Sequence, residues 1–190
     1  MLHRLLAVVA LTVIVTACSS SEGPAIAPEL GDAGRATAST RVETPAAEPV
    51  DAPQGFERVG ATITKADGEV CEICLWRADT PELRSRGLMF VTGLGDADGM
   101  VFAYPEPRTG TFWMKNTILP LSIAYFDADG RYLDEHDMAP CTTPSCIRYP
   151  TSAGMQFAIE TTQGDLPALG IEPGSTLTLT TLPCERSSQV

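Results

Sequence analysis

Lysine is nearly missing from this chain, which holds only Lys65 and Lys115. Basic residues as a group are outnumbered, 13 Lys and Arg against 24 Asp and Glu, for a net charge of −11. Such a surface excludes nucleic acid and anionic polymers as expected partners, because it repels them. Histidine is as scarce: past the first few residues only His136 remains, in LDEHDM, where a solvated residue among acids is a simpler reading than a general base. No G-x-S-x-G elbow, H-E-x-x-H pair or Walker loop occurs, so no motif supports a serine hydrolase, a zinc peptidase or a nucleotide-binding enzyme. The sequence DADG appears at 96–99 and 127–130, but counting from Asp127 places Met138 where a calcium loop needs its bidentate glutamate. These stretches read as turn formers. No metal, cofactor or catalytic residue is expected, and no internal repeat is visible.

The apolar run Leu5–Val15, preceded by His3 and Arg4, is too short to span a bilayer, which takes about 20 residues. It reads as a signal-peptide core, residues 1–17, ending in Val15-Thr16-Ala17-Cys18. That ending resembles a bacterial lipobox. Acylation of Cys18 with chains such as palmitate would anchor the protein to the cell membrane or outer membrane, facing away from the cytoplasm, each buried methylene contributing about 0.8 kcal/mol. Residues 18–55 have hardly any large apolar side chain and read as a disordered tether. Residues 56–190 then form one globular domain with enough Val, Ile, Leu and aromatic residues for a single core.

Outside the cytoplasm the remaining cysteines are expected to be oxidised. Cys141 and Cys146 enclose TTPS, a loop short enough to be closed by one bridge. Cys71, Cys74 and Cys184 then compete for one bond, with Cys184 taking one of the other two and one thiol left over. The spacing in CEIC suits a redox pair, and four cysteines in two pairs suit zinc, but EVCEICLWRA reads as a strand rather than a helix N-terminus, and oxidation favours bridges.

Local signals in the domain are mainly those of strands. ATITK and EVCEICLWRA flank a hairpin turn at Asp67-Gly68. DTPELRSRGLMF predicts a two-turn helix with Thr80 as N-cap, Pro81 in first position and Gly87 as terminator. GMVFAY is an apolar strand, closed by the prolines of PEPRTG. TFWMKNT, a hairpin turning at Asp129-Gly130, MQFAIET and STLTLTTL supply further strands, and DLPALG a second short helix. The pattern predicts an α+β domain, β-rich, with a curled or partly barrel-like sheet and two short helices.

RGLMF, GMVFAYPEPR, FWMKNTILPLSIAYFDADGR and IETTQGDLPALGIEPGSTLTL follow one another in register. Together they resemble the uncharacterised prokaryotic family known as domain of unknown function 192, over about Ile73 to Leu182. The resemblance implies a compact β-rich domain, commonly exported, with no established reaction. One departure is Leu121-Ser122, where the family pattern usually reads Leu-Asp.

Read as a strand, TFWMKNT divides into two faces: Phe112, Met114 and Asn116 on one, Trp113, Lys115 and Thr117 on the other. The first two look like core. Trp113, Lys115 and Thr117 offer a flat ring, an ammonium and a hydroxyl, suited to stacking on a sugar or holding an anionic group; Asn116 joins them as a candidate. Arg86, Tyr104, Arg108 and Glu160 stand in the other family-like blocks and are possible companions. The function expected is a binding module for a small polar or glycan-like envelope ligand. An enzyme using Lys115, Asn116 and either Ser122 or Glu160, and a scaffold without a small ligand, are the alternatives.

Overall fold

The computed structural model describes residues 49–151, 154–181 and 184. The signal peptide, Cys18 and most of the expected tether lie outside the described residues. The packed chain begins before Phe56, because Val50 already pairs alongside Val91, its N–H donating to the Phe90 carbonyl and its carbonyl accepting from the Thr92 N–H, each at 2.9 Å.

Nine strands follow: β1 (Glu57–Thr64), β2 (Val70–Ala78), β3 (Gly99–Arg108), β4 (Thr111–Trp113), β5 (Leu121–Phe126), β6 (Tyr132–Met138), β7 (Arg148–Pro150), β8 (Met155–Thr162) and β9 (Thr176–Leu179). Seven of them form one mixed sheet in the order β6-β5-β8-β3-β2-β1-β9, and β4 pairs with β7 in a separate ribbon. Only β2 and β3 run parallel, and the crossover between them carries α1 (Pro81–Arg86).

The expected α+β class is therefore overturned: the domain is a β fold. α1 is six residues long and buries none of them, so it forms no helical layer. Thr80 Oγ1 accepts from the Leu83 N–H at 3.2 Å, and Gly87 ends the turn. DLPALG makes a single 3-10 turn, Pro167–Leu169, since Pro167 leaves too short a run before left-handed Gly170. The sheet does not close into a barrel either. Among the described residues its two edge strands are joined by the isolated bridge between Arg131 and Thr176 and by no continuous ladder. There Gly130, at φ 76°, approaches so closely that a Cβ would lie 2.0 Å from the Leu177 carbonyl oxygen.

Two strand expectations also change. β3 continues through Pro105 and Pro107 to Arg108, because its register with β8 breaks between Ala103 and Arg108 and the exposed prolines owe no N–H to a ladder there. The strand expected over TFWMKNT stops at Trp113. Asn116 takes a left-handed conformation, φ 55°, and ends the alternation.

Both faces of the sheet are covered, which is why all six residues of β5 are buried. One face packs Ile63, Leu75, Phe126 and Ile159 beneath the segment carrying Leu166, Leu169 and Ile171. The other packs Met100, Phe102, Tyr125 and Met155 beneath Met114, Leu88 and the β4–β7 ribbon. Cys74 bridges Cys184, with Cα atoms 5.6 Å apart, and Cys141 bridges Cys146. Of the two cysteines that compete for Cys184 it is Cys74 that takes it, and no free thiol is found among the described cysteines, against the one leftover thiol expected from the sequence. Bridges of this kind belong to an oxidising compartment outside the cytoplasm.

Candidate functional site

The second face is where side chains with chemistry gather. Glu160 lies on β8, the strand between β3 and β5, opposite Met100 and Ile123. Alternation turns its side chain toward the ribbon, while Ser122, opposite Thr161, faces the other way. Burial pushes the Glu160 carboxyl up to about 8, so at neutral pH it mostly keeps its proton and can donate a hydrogen bond.

Above it the backbone between Trp113 and Thr117 folds into a tight turn, Thr117 N–H donating to the Met114 carbonyl at 3.0 Å. Met114 is inserted into the core, and Asn116 and Phe90 are the two non-glycine residues with positive φ among those described. Their backbones are tied together, Phe90 N–H donating to the Asn116 carbonyl at 2.8 Å. Two sparsely populated conformations fixed against each other require surrounding structure to hold them. Part of that support comes from the disulfide loop, where Cys141 N–H donates to the Thr117 carbonyl at 3.1 Å.

Between this turn and α1 lies a cleft of about 310 Å³, near the lower end of the roughly 300–1,000 Å³ usual for small-molecule sites. Tyr104, Lys115 and Asn116 line it, together with Arg84, Ser85 and Met89. Phe112 and Trp113 border both it and a smaller recess of about 40 Å³, which Arg86, Thr117 and Glu160 also line. The recess has room for water or a single polar substituent. Seven of the eight residues singled out from the sequence, Arg86, Tyr104, Trp113, Lys115, Asn116, Thr117 and Glu160, thus border one cleft or its recess, and the eighth, Arg108, lines neither.

Their arrangement differs from the strand picture. Trp113 sits opposite Arg148 in the ribbon, and the guanidinium carbon lies 3.8 Å from its ring centroid, with Lys115 Nζ at 5.1 Å. Its ring already carries two cations, so it holds charge in place rather than offering a bare platform for a sugar. Tyr104 repeats the pattern with Arg84 at 4.7 Å and Arg108 at 4.8 Å. Burial raises its phenol pKa against the opposing pull of those two cations. Thr117, expected beside Lys115, is buried at the recess.

Sequence reasoning missed Arg84 and Ser85, which lie on α1 just before the RGLMF block that supplied Arg86, and Met89 within that block. It also assigned Phe112 to the core alone, whereas its ring both packs edge-on to Phe102 at 5.2 Å and borders the cleft. Ser122 donates to the Asp137 carboxylate across the β5–β6 pair and accepts from the Gly164 N–H at 2.9 Å. It works as a structural link away from the cleft. His136 contacts the Pro150 carbonyl oxygen at 2.8 Å through Nε2, fastening the ribbon rather than entering the cleft.

Comparison with known proteins bears on this geometry. A solved structure from Novosphingobium aromaticivorans DSM 12444, a protein of unknown function, is 30% identical, with a TM-score of 0.57 over 74% of this chain and 99% of its own. Another, from Sinorhizobium meliloti 1021 and described as a candidate transcription regulator, is 26% identical, with a TM-score of 0.58 over 65% of this chain and 95% of its own. No curated protein matches. The family described as "Uncharacterized ACR", domain of unknown function 192, matches residues 62–179, which hold every strand from β2 to β9 and every residue that lines the cleft and its recess; the chain belongs to that family.

Proposed function

We propose that this protein is an extracytoplasmic binding module, lipid-anchored through Cys18, whose cleft between α1 and the Thr111–Thr117 segment takes a small polar or glycan-like envelope ligand. The observation that carries the reading is convergence: residues from four separated sequence blocks border one cleft that ends on a buried, mostly protonated carboxyl. The regulator description of the Sinorhizobium protein is not carried over, since a net charge of −11 opposes nucleic acid binding. Glycan and small-metabolite screens on the wild type and on Lys115→Ala test the proposal. A hit whose affinity falls in the variant supports it, and a screen without hits leaves an envelope scaffold.

An enzymatic reading has one observation in its favour. A carboxyl raised to about 8 at the base of a polar cleft has the proton and the position of a general acid. Turnover of a bound ligand that is lost in Glu160→Gln while affinity persists would select it. For the anchor, Cys18→Ala should release the protein from the membrane fraction, with a diacylglyceryl group on Cys18 in the wild type; a Cys18 found in a disulfide overturns that assignment.

A further inference from the structure

The basic residues of the domain fall into two groups. Among the described residues, Arg58, Lys65, Arg77 and Arg131 each have a carboxylate within 4.0 Å. Arg84, Arg86, Arg108, Lys115 and Arg148 make no ion pair among the described residues. Every one of these five lines the cleft or stacks on an aromatic ring that lines it. In a chain with 24 acidic residues, cations are readily neutralised; here they converge unneutralised on one concavity.

They are also held in place without carboxylates. Arg84 Nη1 donates to the carbonyls of Ala103, at 2.8 Å, and Asp79, leaving its other N–H groups for a further acceptor. Arg86 Nη2 donates to the Gln54 carbonyl at 2.7 Å while its guanidinium lies 4.4 Å from the Phe56 ring. Carbonyls and rings orient a guanidinium without cancelling its charge, which suits recognition of a planar or tetrahedral oxyanion. Beside these cations stand hydrogen-bonding groups, the Asn116 amide in the cleft and the Thr117 hydroxyl and Glu160 carboxyl in the recess.

We infer that the cleft takes a small hydroxylated organic anion, its carboxylate or phosphate held by Arg84 and Lys115 and its hydroxylated body toward Asn116, Thr117 and Glu160. The inference rests on the cleft being a ligand site and adds the charge of the ligand. A protonated Glu160 fits it, since an ionised carboxylate at the base would repel an anion.

Calorimetric titration of the domain at neutral pH with glucose, glucosamine, glucuronate and a hexose phosphate tests this. The expected result is binding of glucuronate, the hexose phosphate or both, weakened at high salt, and weakened about tenfold or more in Lys115→Gln and Arg84→Gln. The preferred anion identifies carboxylate or phosphate as the recognised group. Arg77→Gln, which removes an ion-paired arginine not among the cleft residues, should bind as the wild type does. Arg84 also holds backbone, so Lys115→Gln is the decisive variant if Arg84→Gln does not fold. Glucose or glucosamine binding as tightly as the anions overturns the inference and leaves the binding module standing. If none of the four binds, the inference falls, and the module then stands or falls with the metabolite screen.

Discussion

Glu160 and Asn116 are the residues where chemistry and backbone are held under constraint. The folded Glu160 carboxyl titrates near 8 against an ordinary 4.5, so between these values the folded state keeps a proton that the unfolded state has lost. Stability must therefore fall as pH rises through that window, by about 1.4 kcal/mol per pH unit, and level off above it. Urea midpoints measured across the window should show this decline in the wild type and a flatter profile in Glu160→Gln; parallel profiles would place the carboxyl in solvent. At Asn116 the left-handed backbone predicts that Asn116→Gly keeps its melting temperature, whereas Asn116→Val loses about 1–2 kcal/mol. The sequence marked both positions without giving reasons of this kind. Glu160 was visible only as a member of a recognisable block, because burial of one carboxyl depends on two neighbouring strands and a ribbon from elsewhere. Asn116 was read as part of an alternating strand: FWMKNT announces Met114 as a core residue, which it is, but nothing in it announces that the chain turns after Met114.

At the scale of elements, the disulfide loop and the cleft are mechanically linked. Cys141 bonds the backbone of Thr117 and sits in isolated bridges with both Lys115 and Thr117, so the loop braces the turn that presents the cation and the amide. The double variant Cys141→Ser/Cys146→Ser should cost about 2 kcal/mol in the loop-entropy picture, and amide exchange at Thr117 and Cys141 should speed up more than at β5. Exchange rising equally everywhere would show that the loop stabilises the domain without bracing the turn. The bridge itself was legible from spacing, as were the β1–β2 and β5–β6 hairpins, because turn chemistry and bridge closure are local. The β4–β7 ribbon was not legible. Its strands are three residues each, and Trp113 is 35 positions from the Arg148 it faces, a pairing set by packing over Phe102 and Tyr125 rather than by any local pattern.

For the whole molecule, the order of strands in space and in sequence diverge. β1 is zipped between β2 and β9, and Cys74 on β2 is bonded to Cys184 beyond β9. Closing a loop of that length should stabilise the fold by about 5 kcal/mol in the same entropy picture, more than twice the effect of the short bridge. Denaturant titration of Cys74→Ser/Cys184→Ser beside the other double variant checks the ratio, and equal losses would refute it. The fold class was misjudged at this scale because short helical signals at 81–86 and 167–169 carry no information on whether the segments pack as a layer. The placement of β9 beside β1 also governs how the chain can mature. A polypeptide that emerges from its N-terminus forward makes β1 and β2 early, yet one flank of β1 stays unpaired until Thr176–Leu179 arrives. Any partial product ending before Thr176 would carry an open strand edge and a Cys74 sulfur without its mate, marks of incompleteness that proteases and folding catalysts recognise.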